Sequence, residues 1–159
     1  MREKILTIRR WNRKEDRVDF AYNDGGRQAA GYKGKTGDCV VRAVAIATGK
    51  PYQEVYNNLN ILGEMERITR RHRHRSNART GIGRKTLTKY MLSLGWKWTS
   101  TMFIGSGCRV HLRKEELPTG RLVVRVSKHV VAVIDGVIQD TYNCSRNGTR
   151  CVYGYYIMN

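Results

Sequence analysis

The chain has 159 residues and a formal net charge of +17, from 30 Lys and Arg against 13 Asp and Glu. That length fits one domain, which buries roughly two-thirds of the surface of its unfolded chain, and 40% hydrophobic residues are too many for wholesale disorder. No apolar run approaches the ~18 residues of a membrane-spanning helix, and the opening MREKILTIRRWNRK holds no apolar signal segment. The expectation is a single cytoplasmic domain, 1–159, with no membrane partner and no cofactor. The positive excess favours polyanions, although charge by itself fixes neither fold nor chemistry.

Residues 1–35 are polar, basic and Gly-containing, which predicts an irregular entry segment with one strand near Lys4–Arg9. The apolar, Ala-rich CVVRAVAIAT (39–48) predicts a buried helix, with Thr36 or Asp38 near its start and Gly49 as its C-terminal cap. Pro51 opens a second helix with Tyr52, Val55, Tyr56 and Leu59 on one face. From Glu66 to Lys89 the chain carries seven Arg and two Lys against one Glu, a local net charge of +8. RRHRHRSNARTGIGRK has no apolar period and predicts a surface loop or mobile arm at about 63–85. A third helix follows, with Leu87, Tyr90, Met91 and Leu94 at helical spacing and Gly95 as its stop.

The rest reads as sheet. WKWTSTM (96–102) alternates, Arg109–Leu112 suits a short strand, and RLVVRV (121–126), HVVAVI (129–134), VIQDTY (137–142) and CVYGYYIM (151–158) are β-branched or aromatic runs separated by turns. Helices first and strands afterwards predict an α+β domain, with an N-terminal cysteine-bearing helix and further helices packed on a C-terminal antiparallel sheet.

Cys39, Cys108, Cys144 and Cys151 contain no C-x-x-C pair, which argues against a zinc ribbon or a thioredoxin-type site. A two-residue turn at Asn147-Gly148 would set Cys144 opposite Cys151, as a cross-strand disulfide or, the favoured state, two reduced thiols. Cys108, after the flexible GSG, is a second candidate reactive thiol with His111 as its only candidate base. His72 and His74 form an H-x-H, but the arginines around them repel a cation and no metal is expected.

The sharpest local argument concerns His129 and Asp140. Asp135-Gly136 signals a two-residue hairpin turn, so Ile134 faces Val137, Val133 faces Ile138 and Val131 faces Asp140. His129 then lies diagonally from Asp140 on one face, at ~7–8 Å between positions, within side-chain reach. Asn143 would face Lys128 and point the other way, unless a one-residue bulge reversed the choice. Cys39, at a helix start, gains from the helix dipole and unpaired N–H groups that stabilise a thiolate. An imidazole that takes the thiol proton and a carboxylate that orients the imidazole complete a nucleophilic unit.

TGDCVVRAVAIATGKPYQEVY resembles the cysteine-bearing helix and following helix of papain-like cysteine peptidases, above all the compact bacteriocin-leader peptidase type, in which Asp-Cys opens the helix. SKHVVAVIDGVIQDTYN resembles that fold's histidine strand, hairpin and acidic strand. The TGDC, GIGRK, GWKW, GSGC and HVVAVIDGVIQD stretches are also similar to small proteins of unassigned activity encoded by phages and bacteria. The resemblance covers most of residues 20–157 and implies a papain-like domain with Cys39 as nucleophile, His129 as general base and Asp140 as its orienting partner. It departs from the family where Lys33 replaces the glutamine six residues before the cysteine and Val40 replaces the glycine after Asp-Cys. Gln28 or Asn23 are the candidate oxyanion donors alongside the Cys39 backbone N–H.

The expected activity is acyl transfer on a protein, peptide or other amide-type substrate, as a peptidase, deamidase, amidase or acyltransferase. The alternative is a catalytically degenerate papain-like protein that binds nucleic acid or another polyanion through Arg67, Arg70, Arg71, Arg73, Arg75, Arg79, Arg84 and Lys85. GIGRK (81–85) lacks the spacing of either nucleotide-binding fingerprint and is a weak phosphate cradle.

Overall fold

A computed structural model describes residues 18–159; the strand expected near Lys4–Arg9 lies outside the described residues. The small apolar residues after Asp38 fold as α1 (Cys39–Thr48), buried from Val40 to Ala47. Gly49, at φ 73°, ends the helix in the left-handed region and donates its N–H to the Ala45 carbonyl. After Pro51, α2 (Tyr52–Glu64) buries Tyr52, Val55, Leu59 and Gly63 along one stripe. The third helix, α3 (Arg84–Ser93), buries Leu87, Tyr90 and Met91, and the chain turns away at Gly95.

Six strands make one mixed sheet: β1 (Phe20–Tyr22), β2 (Lys97–Ser100), β3 (Arg121–Val126), β4 (His129–Ile134), β5 (Val137–Asp140) and β6 (Val152–Ile157), in spatial order β1-β5-β4-β3-β6-β2. The α+β class stands, but the sheet is not wholly antiparallel as expected. Within the segment read as irregular, Phe20–Tyr22 runs parallel to β5 at the sheet's edge. Three residues with Phe20 and Tyr22 both exposed carry no hydrophobic alternation, so only backbone pairing marks this strand.

The consecutive apolar residues 122–124 of β3 and 130–134 of β4 follow from cover on both faces of the sheet. On one face the helices enclose Val123, Val130, Ala132 and Tyr156 with Val41, Val44, Val55, Leu59 and Met91. On the other, Leu112, Leu117 and Cys144 close over Leu122, Val124, Val131, Val133 and Ile138. The expected strand at Arg109–Leu112 is reduced to a single bridge, His111 with Cys151, supported by the backbone bonds Val152 N–H to Val110 O and Leu112 N–H to Arg150 O, both 2.8 Å.

That bridge overturns the cysteine pairing expected for this region. Cys108 and Cys151 are joined as a disulfide, while Cys144 is a free, buried thiol. Arg146, Asn147 and Gly148 all take positive φ and form a wider turn than a two-residue hairpin. Asn143 Oδ1 accepts from the Ser145 N–H and hydroxyl, so the chain folds back on itself before it can pair with Cys151. Cys108 is therefore no candidate nucleophile, and His111 instead bonds Glu116 at 3.0 Å.

The basic loop runs between α2 and α3 and is strapped to α2. The Ser76 N–H donates to Glu66 Oε2 and the Ala78 N–H to Asn60 Oδ1, both at 2.7 Å, and Ala78 is fully buried. Gly63 permits this approach, since a Cβ there would run into the Ser76 carbonyl. Gly63→Ala is expected to destabilise the protein by about 1–3 kcal/mol, the usual cost of overpacking, and to speed tryptic cleavage at Arg73 and Arg75. Denaturant unfolding and timed proteolysis check both; unchanged values would show that the loop is not held on α2.

Candidate functional site

The turn at Asp135 (φ 49°) and Gly136 (φ 79°) sets the register of β4 and β5 as the sequence predicts: Ile134 pairs with Val137, Val133 with Ile138 and Ala132 with Gln139. His129, the first residue of β4, and Asp140, the last of β5, thereby reach each other at one end of the sheet. His129 Nε2 lies 2.6 Å from Asp140 Oδ2. That bond leaves the other ring nitrogen, Nδ1, clear of Asp140.

Cys39 opens α1 at this same end, half-buried. No side chain among the described residues caps the helix, so its first N–H groups stay available beside the sulfur. Burial alone would push the Cys39 thiol up. The hydrogen bond and positive charge of His129, with a hydrogen bond from the Val130 backbone and the charge of Arg42, outweigh burial and hold the thiol below its ordinary 9.0. Burial likewise disfavours the charged imidazole, but Asp140, Cys144 and Cys39 together raise His129 well above its ordinary 6.5. The two shifts are one coupling seen from both partners: the charged form of each stabilises the charged form of the other.

Three features were not foreseen. Arg42, one helical turn after Asp38, is buried at 6% exposure. Its Nη2 donates to Asp140 Oδ1 at 3.2 Å while its Nη1 donates to Asp38. Asp38, fully buried, also accepts from the Tyr52 hydroxyl at 2.6 Å and the Thr36 hydroxyl at 2.5 Å, and Arg27 Nη1 lies 3.6 Å away. Instead of capping α1, Asp38 anchors a buried ionic network that continues into Asp140. An arginine inside CVVRAVAIAT was the one legible signal, since a charge in an apolar helix demands a partner.

The third is Cys144, whose thiol also meets the His129 ring. His129, Asp140 and Cys144 offer N, O and S donors within 4.8 Å of one another, a set a soft divalent cation can use. The arrangement fits a shared proton better. A cation there would face the Arg42 guanidinium across Asp140 and would break the 2.6 Å bond between His129 and Asp140. The Tyr142 ring lies 5.4 Å from the imidazole and helps to enclose it.

The oxyanion candidates lie in the 23–31 turn. Asn23 sits beside the site, but its Nδ2 donates to Gln139 Oε1 at 2.9 Å. Gln28 is exposed, and no hydrogen bond ties its side chain to the cluster among the described residues. The cations named from sequence separate into two groups. Arg67, Arg70, Arg71, Arg73, Arg75 and Arg79 lie on the loop after α2, whereas Arg84 and Lys85 begin α3, with the Arg84 guanidinium 6.0 Å from the Trp98 ring centre. The Gly83 N–H of GIGRK is taken by the Ser76 hydroxyl at 2.7 Å, which removes one donor from that candidate phosphate cradle. His72 and His74 are exposed within the loop.

Comparison of the chain with protein families, curated proteins and solved structures finds no match. No helix among the described residues is long and apolar enough to cross a membrane.

Asp38 and Asp140 are both buried, which alone would raise them. Hydrogen bonds and the Arg42 charge dominate, and both carboxyls are held below 3.8. Their contribution to stability is fully present above pH 3.8 and is lost as pH falls through their lower folded-state values. Arg42→Met leaves two buried carboxylates short of a partner and is expected to cost about 3–5 kcal/mol. It should also raise the pH at which acid unfolding begins. Denaturation midpoints measured from pH 7 down to pH 2 test this; a variant as acid-resistant as the parent would contradict the network's role.

Proposed function

We propose that the protein is a papain-like thiol enzyme that performs acyl transfer on an amide-type bond. The observation that carries the reading is the His129 imidazole, held through Nε2 by Asp140 at 2.6 Å, at the same end of the sheet as the thiol that opens a buried helix. The chain order of cysteine, histidine and acidic residue, with a hairpin joining the last two, adds the resemblance to papain-like peptidases noted from the sequence.

In this reading His129 takes the Cys39 proton, and the thiolate forms a bond to the substrate carbonyl carbon while the carbonyl electron pair moves to oxygen. The backbone N–H groups at the start of α1 stabilise that oxyanion. Collapse of the adduct breaks the C–N bond, the imidazolium proton goes to the leaving amine, and a thioester remains. His129 then takes a proton from water or an amine, which attacks the thioester and returns the thiol. Asp140 touches no reacting atom; it fixes the ring's orientation and stabilises the imidazolium. Peptidase, deamidase, amidase and acyltransferase outcomes share these steps and differ in the leaving amine and the acceptor.

The test is site-resolved alkylation. Iodoacetamide is expected to modify Cys39 faster than the buried Cys144, with a half-maximal rate at a pH below 9.0. His129→Ala should slow Cys39 labelling at pH 7 on the order of tenfold, while His111→Ala leaves it unchanged. Peptide mass spectrometry distinguishes the sites. Equal rates at Cys39 and Cys144, or a Cys39 rate indifferent to His129, would sink the proposal.

A further inference from the structure

The basic loop and α2 enclose a surface groove of about 700 Å³, lined by Tyr56, Ile68, Arg73, His74, Arg75 and Arg79 among others, with no acidic residue in its wall. Arg75 Nε donates to the Glu66 carbonyl at 3.1 Å and Arg79 Nη2 to the Lys33 carbonyl at 2.7 Å. These bonds aim the guanidiniums without neutralising them. No carboxylate among the described residues lies within 4.0 Å of Arg73, Arg75 or Arg79. The nearby acid, Glu66, is spent on the Ser76 N–H and the Thr86 hydroxyl.

One wall is aromatic. Tyr56 packs against Tyr32 with ring centres 4.6 Å apart, and Tyr32 in turn lies 5.4 Å from Tyr52. Exposed Ile68 adds an apolar surface. Three uncompensated guanidiniums beside a braced tyrosine form the combination that holds single-stranded nucleic acid: planar forks match phosphate oxygens, and a ring offers a face to a base. An acidic peptide would use the charge but leave the aromatic wall without a role.

We propose that this groove is a binding site for single-stranded nucleic acid, its phosphates held by Arg73, Arg75 and Arg79. The site is independent of the thiol chemistry, although it borders the strip that leads to Cys39. The Gly37 N–H donates to the Arg79 carbonyl at 2.7 Å, two residues before the cysteine.

The experiment is fluorescence anisotropy of the full chain with labelled single-stranded DNA and RNA oligonucleotides, and with a polyglutamate peptide of equal charge. Three phosphate contacts predict a slope of about −2 in log K against log salt, or roughly twentyfold weaker binding from about 50 to about 200 mM salt. The triple variant R73Q/R75Q/R79Q should lose most of the affinity and flatten that slope. The charge-matched variant K97Q/R109Q/K114Q, altered at exposed positions outside the groove, should keep most of the affinity. Single Arg73→Gln, whose side chain has no hydrogen-bond partner among the described residues, gives a partial loss without risk to the loop's fold. Unchanged Cys39 alkylation in Arg73→Gln separates loss of binding from loss of structure. Equal losses in both triple variants, tighter binding of polyglutamate than of either oligonucleotide, or no oligonucleotide binding at low salt would each overturn the proposal.

Discussion

A single guanidinium, buried between Asp38 and Asp140, ties the first turn of α1 to the last residue of β5. Placing three charges out of water is costly unless each finds its partners. Here the Tyr52 and Thr36 hydroxyls complete Asp38, while the His129 ring and the Thr141 N–H complete Asp140. The fork geometry matters, because one side chain must reach two carboxylates with separate nitrogens, which the point charge of a lysine does less well. Helix and sheet are thus locked together at the end where Cys39 and His129 meet. The apolar packing of α1 against β4 sets the helix on the sheet; the ionic bridge fixes its position there.

The parts of this arrangement written in local chemistry were legible in the sequence. Asp135-Gly136 dictated the hairpin and its register, and that register brought His129 to Asp140 through side-chain parity alone. Gly49, Pro51 and Gly95 marked helix limits for reasons of backbone conformation. What stayed hidden depends on long-range contact. β1 has only three residues, and its pairing is backbone to backbone. Cys144 reaches His129 because Asn143 and Ser145 fold the chain back, a local turn that the stronger Asn147-Gly148 signal obscured. The pairing of Cys108 with Cys151 rests on a single bridge at His111, which no periodicity announces. Asp38 occupied a capping position in sequence but turns its carboxylate inward, because Arg42 and Tyr52 offer more than the helix N–H groups can.

The same bracing connects the charge to the site. Arg79 holds the Lys33 carbonyl and receives the Gly37 N–H on its own carbonyl, so the basic loop supports the segment entering α1. A Cβ at Gly37 would collide with the Thr80 backbone, which shows how closely the two strips lie. Lys33 is part of that brace through its carbonyl. One arginine of the basic loop is therefore built into the segment that leads to Cys39, while Arg67 to Arg75 stay exposed. In the proposed reading, capture and chemistry occupy adjoining surfaces and separate residues.

The proposed chemistry requires His129 to stand charged between Asp140 and the Cys39 sulfur. A pH titration of the His129 ring nitrogens by nitrogen-15 NMR tests it most directly. In the parent protein the imidazolium is expected to persist well above pH 6.5, with a lower midpoint in Asp140→Asn and in Cys39→Ser. A ring that loses its proton at or below pH 6.5, and does so equally in all three proteins, would contradict it.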